Sequence, residues 1–299
     1  MTFVPGPVVV TVPATSANLG PGFDCLGLAL ELRDELTAEV GGDALVVEVT
    51  GEGAGDVPLD PSHLVARAMD AAFGAMEVAT PPLRLSCTNR IPHARGLGSS
   101  SAAIVGGIAL ARALVDDGTD RFGLADCLAL ANALEGHPDN VAPALFGGLV
   151  VSGQDDEDVW ADQAPLDPRI RAVAFVPTTG LSTEVARGLL PATVPHADAA
   201  ANTGRAALLV AALGGAPERL LRGTEDFLHQ SYRRPAMPES LALVDRLRAD
   251  GHAAVVSGAG PTVLVLTVER DLGPVSAYRP DGWRSLALDV AVRGAVVLG

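Results

Sequence analysis

The 299-residue sequence contains no lysine, since all 21 of its basic residues are arginine. This absence excludes a lysine Schiff base, a Walker-type phosphate-binding lysine and a lysine general base. Cysteine is also scarce: Cys25, Cys87 and Cys127 lie far apart and form no CxxC pair. Neither a zinc site nor a disulfide framework is indicated, and we expect reduced, buried thiols.

Positive charge and long apolar runs are missing as well. With 36 acidic against 21 basic residues the net charge is −15, and the arginines are scattered, so binding to nucleic acid or an anionic membrane is not expected. No charge-free run reaches the roughly 18 apolar residues that cross a bilayer. The opening MTFVPGPVVV has neither the basic region nor the apolar helical region of a signal peptide. A soluble, cytoplasmic protein is expected.

The secondary structure pattern is mixed. Short β-branched segments predict strands at 8–14, 44–52, 83–91, 147–153, 170–177, 253–260, 262–268 and within 283–298. Apolar residues at helical spacing predict helices at 63–76, 102–117, 124–136, 182–191, 205–213, 217–230 and 239–251. Because strands and helices alternate without regular βαβ spacing, the prediction is an α+β protein. The acidic segment 154–163 is the candidate linker or exposed loop, so we predict domains at 1–155 and 156–299.

A glycine- and serine-rich stretch, PHARGLGSSSAA at 92–103, leads into an apolar segment predicted as a buried helix. The first N–H groups of a helix have no intrahelical partner, and glycines let the backbone wrap around an anion. Gly96 and Gly98 therefore suit a phosphate, and Ser99–Ser101 offer a helix cap, a phosphate donor or a metal ligand. A plain capped helix after a glycine turn is the alternative. Neither a Walker loop nor GxGxxG fits the spacing.

The pattern PxxxGLGSSxA resembles the phosphate-binding motif of the GHMP small-molecule kinases. PATSANLGPGFDCLGLAL at 13–30 resembles the homoserine kinase family, whereas related mevalonate and galactose kinases carry a lysine-containing motif there. VSGAGPTVLVL at 256–266 resembles the superfamily's third motif. Three further segments resemble homoserine kinases in the same order: 135–148, 182–191 and 226–238. The resemblance covers residues 11 to 266, nearly the whole chain.

The resemblance implies an ATP-dependent kinase that phosphorylates the hydroxyl of L-homoserine to O-phospho-L-homoserine in threonine biosynthesis, with Mg²⁺ as cofactor. It implies an N-terminal domain like domain 2 of ribosomal protein S5, a C-terminal ferredoxin-like domain, and a cleft between them for ATP and acceptor. It also suggests a homodimer. Two alternatives stay open: a GHMP kinase with another acceptor, and a catalytically inactive GHMP-fold binding protein.

By similarity to the family, the nucleotide-binding residues are His63, Pro92, Arg95, Gly96, Leu97, Gly98, Ser99, Ser100, Ser101 and Ala102. Ser100 and Glu135 are the implied Mg²⁺ ligands, since Mg²⁺ prefers oxygen and needs few protein contacts. One position departs from the family pattern, because His63 stands where an asparagine is usual near the adenine. Adenine recognition is therefore less firmly implied than phosphate binding.

The acceptor carries an ammonium, a carboxylate and a hydroxyl, so its pocket needs an anion, cations and neutral polar groups. By resemblance, Asn18 and Asp24 form the ammonium and hydroxyl end. Arg187 and Arg233 form the carboxylate clamp, for which the guanidinium fork is suited, with Arg234 as the alternative. The polar wall is completed by Thr183, His137 and Asn140. The EGHPDN turn is shorter than in many relatives, which leaves open whether His137 reaches this pocket.

The identity of a general base stays open at the level of sequence. The candidate catalytic residues are Asp24 and Asn140. Asp24 is the preferred proton acceptor if its carboxylate reaches the hydroxyl, and Asp139 is the runner-up. Phosphoryl transfer depends chiefly on alignment and charge stabilisation, so base catalysis is secondary.

Overall fold

The computed structural model of the chain describes residues 2–156 and 158–298. Its strands are β1 (Val8–Asn18), β2 (Gly22–Val40), β3 (Val46–Gly51), β4 (Leu83–Asn89), β5 (Leu149–Asp155), β6 (Asp158–Ala164), β7 (Ile170–Pro177), β8 (Ala253–Val256), β9 (Val263–Val268), β10 (Trp283–Asp289) and β11 (Val296–Leu298). Its helices are α1 (Leu64–Ala75), α2 (Ser99–Leu114), α3 (Gly118–Arg121), α4 (Leu124–Glu135), α5 (Pro138–Phe146), α6 (Thr183–Gly188), α7 (His196–Gly215), α8 (Leu220–Gly223), α9 (Pro238–Ala249) and α10 (Leu272–Ser276).

The first sheet is organised around the long strand β2. Its strands lie in the order β11-β1-β2-β4-β3, and β5 joins it through β2 while β6 pairs with β5. Along its length β2 pairs antiparallel with β1, and its two halves pair with β5 and β4. No element was predicted over 22–40, so this central strand is an addition to the sequence analysis.

Helix α2 is the central helix of the first lobe, as its all-round apolar sequence predicts. It packs against α1 and β1, and Ile104, Val105 and Ile108 are buried in its core. A Cβ on Gly107 would lie 2.5 Å from the carbonyl oxygen of Val65 in α1, so glycine lets the two helices approach closely. The close packing fixes the start of α2, where the phosphate loop ends.

The second sheet is antiparallel, with strand order β10-β7-β9-β8. Helix α9 packs against β8 and β9, and α10 packs against β7, β9 and β10. The core between them contains Phe175, Leu247, Val256 and Val265. We call the part of the chain built on this sheet the second lobe, and the part built on the first sheet the first lobe.

The acidic segment 154–163 is not a loop or linker. It belongs to a hairpin in which β6 pairs antiparallel with β5, from Leu149↔Ala164 to Asp155↔Asp158. In β6 the exposed Asp158, Trp160 and Asp162 alternate with more buried Val159 and Ala161, which is the period of a half-buried strand. The predicted division near residue 155 lies at the turn of this hairpin and stays a prediction.

The end of the chain returns to the first lobe. Strand β11 pairs with β1 in the register Val10↔Val297, although β10 before it lies in the second sheet. The predicted strand region 283–298 is therefore two strands in different sheets.

The three cysteines are free thiols, as expected. Cys87 and Cys127 are buried, whereas Cys25 is only partly buried. Burial raises the pKa of Cys25 and of Cys127 to about 11, and that of Cys87 to about 12. All three therefore stay protonated and unreactive near neutral pH. Within the described ranges, no helix has both the length and the apolar character needed to cross a membrane.

Candidate active site

The glycine loop ends directly at α2, whose N-cap is Gly98 in the left-handed region at φ 69°. A Cβ on Gly98 would lie 1.9 Å from Thr15 Oγ1, and one on Gly96 would lie 2.3 Å from the carbonyl oxygen of Ser257. Only glycine fits these two positions. The loop thus lies tightly against β1 and the turn after β8, with the unpaired N–H groups of the helix start beside it.

Hydrogen bonds from other elements hold this loop. The Thr15 N–H donates to the Leu97 carbonyl (3.0 Å), and the Leu181 N–H donates to the Ala94 carbonyl (3.1 Å). The Ser257 hydroxyl, from the third motif, donates to the Gly96 carbonyl (2.6 Å). The predicted third motif at 256–266 therefore supports the phosphate loop from the second lobe.

Several residues predicted to bind the nucleotide face away from the cleft. The Arg95 guanidinium donates to the carbonyls of Pro177 (3.1 Å), His93 (2.8 Å) and Thr178. Its side chain therefore fastens the loop to the end of β7. Pro92, Leu97 and Ala102 are buried. The side of the cleft next to the loop is lined by Gly96, Gly98, Ser99 and Ser100.

Glu135, at the end of α4, reaches the start of α2. Its carboxylate accepts from the hydroxyl of Ser100 (2.6 Å to Oε2) and from that of Ser101 (2.8 Å to Oε1). Oxygen ligands in small number suit Mg²⁺, which keeps several of its own waters. The described residues contain no group of three or more His, Cys, Asp or Glu side chains that could hold a metal. The carboxylate of Glu135 and the hydroxyl of Ser100 are oxygen donors of the kind that Mg²⁺ prefers.

The cleft has a volume of about 270 Å³ and brings together most of the residues predicted for the acceptor. Those residues are Asn18, His137, Asn140, Thr183, Arg187 and Arg233, together with Asp139 and Glu135. The short turn before α5 does not remove His137 from this cleft. The first residue before α6, Ser182, is its N-cap, because the Ser182 hydroxyl accepts from the Val185 N–H.

Asp24 and Arg187 contact each other directly. Asp24 Oδ1 and Oδ2 accept from the two terminal nitrogens of Arg187 at 2.6 and 3.0 Å. This bond raises the pKa of Arg187. The backbone N–H of Asp24 donates to Asn18 Oδ1 (3.0 Å), which fixes the turn at the start of β2. The predicted ammonium site and half of the predicted carboxylate clamp are therefore paired with each other.

Arg233 is a buried cation with free donors. Its side chain is 1% exposed, its Nη1 donates to the Gly258 carbonyl (2.9 Å), and its Nε has no partner among the described residues. Burial first, and the charge of Arg187 second, lower its pKa. Arg234 instead lies at the surface and pairs with Asp245 at 2.9 Å. The structure thus places Arg233, and not Arg234, in the cleft.

The His137–Asp139 pair lies at the start of α5. His137 Nδ1 and Asp139 Oδ1 are 3.1 Å apart, and Asp139 is 2% exposed. The hydrogen bond to Asp139 raises the pKa of His137, although burial opposes it. Asn140 Oδ1 accepts from the Thr15 hydroxyl (2.9 Å). The Asn140 amide is therefore oriented by β1, which also holds the phosphate loop.

A second cavity of about 250 Å³ continues from Ser99 and Ser100 away from the acceptor end. Its polar lining is His63, which was predicted, together with Asp34, Ser62, Asn89 and His93, which were not. Burial, and then the charge of His93, lower the pKa of His63, so its imidazole is neutral near pH 7. No local pattern marks Asp34, Asn89 and His93, because their grouping arises from the pairing of β2 with β4.

A larger cavity, about 740 Å³, lies elsewhere on the second lobe, between α8, the turn after α9, and β9. None of the predicted site residues lines it. A binding site is marked by convergent polar groups and not by volume alone. Most of the predicted polar residues line the two smaller, adjoining cavities, which therefore form the candidate active site.

Comparisons with known proteins agree with this geometry. The family model described as GHMP kinases N terminal domain matches residues 63–148, and that described as GHMP kinases C terminal matches 207–276. A homoserine kinase of Streptomyces avermitilis is 52% identical, with 97% of this chain and 95% of the relative covered. One of Streptomyces coelicolor is 51% identical, with 97% and 94% covered.

Solved structures have the same fold. A homoserine kinase from Cytophaga hutchinsonii superposes with a TM-score of 0.87 at 24% identity, covering 100% of this chain and 99% of that one. A putative homoserine kinase from Listeria monocytogenes gives a TM-score of 0.77 at 32% identity, with 98% and 99% covered. A mevalonate diphosphate decarboxylase from Staphylococcus aureus shares the fold alone, with a TM-score of 0.68 at 13% identity and 98% of each chain covered.

Proposed function

The chain belongs to the homoserine kinases of the GHMP family, and from this membership we propose that it transfers the γ-phosphoryl group of ATP to the side-chain hydroxyl of L-homoserine. The product is O-phospho-L-homoserine, for threonine biosynthesis. The predictions of a kinase and of the two-domain α+β GHMP fold are confirmed by the family match and by the solved structures. Mg²⁺ and a homodimer are parts of the proposal that rest on the family resemblance, and the cytoplasmic location stays a prediction from the sequence.

One observation carries the choice of acceptor: the buried Arg233 and the Asp24–Arg187 pair meet beside the serine–glutamate pair of the phosphate loop. An α-amino acid brings one positive and one negative group. A sugar or an isoprenoid alcohol lacking a carboxylate would leave the buried Arg233 without an anionic partner, which is costly. The charge pattern therefore favours a zwitterionic acceptor.

At the phosphate end, the N–H groups of the loop and of the first turn of α2 bind the nucleotide phosphates. Ser100 and Glu135 would hold Mg²⁺, which neutralises the developing charge on the phosphoryl oxygens when bound. Ser101 holds the second oxygen of Glu135 and so orients the carboxylate. Alignment of donor and acceptor is the main contribution of these residues.

At the acceptor end, the incoming zwitterionic ligand replaces the internal pairing of Asp24 with Arg187. The incoming carboxylate takes the N–H donors of Arg187 and the free donors of Arg233, and Asp24 pairs with the ammonium group. No charge is left unpaired during this exchange, because each internal partner is replaced by a ligand group of the same sign. Asn140 then faces the hydroxyl. Asp24 becomes available as a proton acceptor only after Arg187 is occupied by the ligand.

The test is an ADP-release assay of the purified chain with MgATP and four acceptors: L-homoserine, L-threonine, mevalonate and galactose. We expect the highest kcat/KM with L-homoserine. Equal or greater turnover with mevalonate or galactose would contradict the proposal, and so would absence of turnover with all four.

The metal part is tested by Glu135→Gln, which should lower kcat/KM and raise the Mg²⁺ concentration for half-maximal rate by about tenfold or more. The exposed Glu48 on β3 supplies the matched control, since Glu48→Gln should change neither quantity more than about twofold. An unchanged Mg²⁺ requirement in Glu135→Gln would show that Glu135 is not a ligand.

A further inference from the structure

Three side chains converge on the ring of Phe23, the residue before Asp24. The Cζ atoms of Arg187 and Arg233 each lie 5.5 Å from the ring centroid. The imidazole of His229 stacks on the ring, with centroids 5.1 Å apart and planes inclined by 29°. We propose that Phe23 is a positioning residue of the acceptor site, whose ring holds Arg187 and Arg233 at the spacing that receives the α-carboxylate of the acceptor. This inference rests on the function proposed above.

The two guanidinium groups need such a support because they repel each other in a partly desolvated pocket. Arg187 is compensated by the bidentate contact with Asp24. Within the described part of the chain, Arg233 makes no salt bridge, and the Gly258 carbonyl is the one hydrogen-bond acceptor of its guanidinium group. The negative face of an aromatic ring attracts a cation, and this attraction is stronger when both groups are shielded from water. Phe23 is placed to supply it.

An aromatic contact has a second advantage over a carboxylate at this position. A carboxylate accepts hydrogen bonds from the N–H groups of arginine and so occupies them. A ring stabilises the charge while leaving the N–H donors free, and these donors form the fork that recognises a carboxylate. The contacts of Phe23 therefore stabilise Arg233 without competing with the ligand.

His229 anchors the ring without adding a third positive charge. It is fully buried, and its Nε2 donates to the Gly20 carbonyl (2.7 Å). Burial lowers its pKa, so the imidazole is neutral near pH 7. The nearby Asp226 carboxylate accepts backbone N–H groups of Leu228, His229 and Gln230. Phe23 is thus held by a neutral ring on a loop that is itself fixed by backbone hydrogen bonds.

The experiment compares kcat, the KM for L-homoserine and the KM for MgATP in the wild type, Phe23→Leu and Phe23→Tyr. Leucine removes the π face and keeps most of the apolar volume, whereas tyrosine keeps the ring. We expect Phe23→Leu to raise the KM for L-homoserine about tenfold, the size expected for lost desolvated cation–π contacts. The KM for MgATP and kcat should change less than about threefold, and Phe23→Tyr should restore the KM for L-homoserine.

A competitive inhibitor separates binding from chemistry. L-2-Aminobutyrate carries the ammonium and the carboxylate of the acceptor but no hydroxyl. Its inhibition constant should rise in Phe23→Leu by the same factor as the KM for L-homoserine. If the inhibition constant stays at the wild-type value, the ring does not act on the carboxylate clamp and the proposal is wrong.

A matched control is Phe227→Leu. Phe227 also lies near a guanidinium, with Arg205 Cζ 5.9 Å from its ring centroid, but Arg205 pairs with Glu225 outside the cleft. This variant should keep the wild-type KM for L-homoserine. If Phe23→Leu does not fold, as judged by thermal unfolding with and without MgATP, Phe23→Met takes its place in the same comparison.

The outcomes separate this inference from the proposed function. If the wild type does not phosphorylate L-homoserine, the proposed function fails before any variant is compared. If the wild type does so and Phe23→Leu leaves the KM for L-homoserine unchanged, only the role of Phe23 is overturned. A parallel rise of both KM values, or failure of Phe23→Tyr to restore the wild-type KM, would also overturn it.

Discussion

Asp139 favours the protonated form of His137 in the cleft. The imidazole is largely buried, and burial alone would lower its pKa, but the hydrogen bond to Asp139 is the larger effect and raises it. The charge of Glu135 acts in the same direction. A raised pKa in the folded state means that folding stabilises the protonated imidazole.

This leads to a prediction about stability and pH. The contribution of a group with a raised pKa in the folded state is complete below its unfolded pKa, near 6.5 for histidine, and is lost as the pH rises through the folded value. His137→Gln should therefore lower the free energy of unfolding more at about pH 6 than at about pH 8.5. Denaturant unfolding of both proteins at the two pH values measures the difference.

The exposed His196, at the start of α7, provides the control for this prediction. His196→Gln should cost the same small free energy at both pH values, because no charged partner of His196 lies within salt-bridge distance among the described residues. If His137→Gln is equally destabilising at both pH values, the protonated His137–Asp139 pair does not contribute to stability.

At the same scale, the sequence predicted which residues meet in the cleft but not how they pair. Asn18, Asp24 and Gly98 belong to local motifs, so their types and order can be read along the chain. The bond between Asp24 and Arg187 joins residues 163 positions apart and depends on how α6 lies against the start of β2. His229 was not predicted as a site residue, because nothing distinguishes it from its neighbours in the predicted helix 217–230 or in the segment 226–238 that resembles homoserine kinases.

At the scale of the element, the phosphate loop and α2 act as one unit. The loop is held by β1, by the turn after β8 and by the segment before α6. Gly96 and Gly98 are required because the loop leaves no space for a side chain at these positions. A substitution of glycine by alanine therefore tests the loop geometry.

Gly98→Ala places a Cβ at a left-handed residue and 1.9 Å from Thr15 Oγ1. We expect a loss of stability of about 1–3 kcal/mol from the backbone strain and the clash. The KM for MgATP should rise as well, since the first turn of α2 must move. Thermal unfolding and steady-state kinetics provide the two measurements.

The control for Gly98→Ala is Gly204→Ala in the exposed face of α7, where a Cβ would meet no atom within 4 Å. Alanine is the better helix former, so this variant should be neutral or stabilising by up to about 1 kcal/mol. A KM for MgATP that is unchanged in Gly98→Ala would mean that the loop does not bind the phosphates in the way proposed.

Elements with strong local signals were predicted, and those determined by sheet pairing were not. Helix α2 is apolar all round, and α6 carries its own N-cap, so both were found from sequence. In β2 the stretch ELRDELTAEV (31–40) consists largely of good helix formers, and pairing with β1 and β4 overrides that preference. Strand β6 was missed because the acidic residues of segment 154–163 suggested a solvated loop, although Asp158 and Asp162 occupy the exposed face of this edge strand.

At the scale of the whole molecule, the chain crosses between its two lobes more than once. Strand β11 completes the first sheet after β10 has completed the second. Residues just before β11 bind the first lobe: Arg33 donates to the carbonyls of Arg293 (3.2 Å) and Gly294, and the Ala295 N–H donates to the Ala144 carbonyl (2.8 Å). The stability of the first lobe therefore depends on the last residues of the sequence.

A chain ending at Asp289 tests this dependence. It lacks β11 and the Arg293 and Gly294 carbonyls that accept from Arg33, so we expect the first lobe to lose on the order of 3 kcal/mol, mainly from lost hydrogen bonds to a charged group and to the edge of β1. Hydrogen exchange should become faster in β1 and β2, while β7 and β9 stay protected. Since β1 carries Thr15 and Asn18, the KM values for MgATP and L-homoserine should both rise.

The control for this truncation is Val292→Ser, at an exposed position within the deleted segment, which should leave all of these quantities unchanged. Equal loss of protection in both sheets would instead mean that the two lobes unfold as one unit.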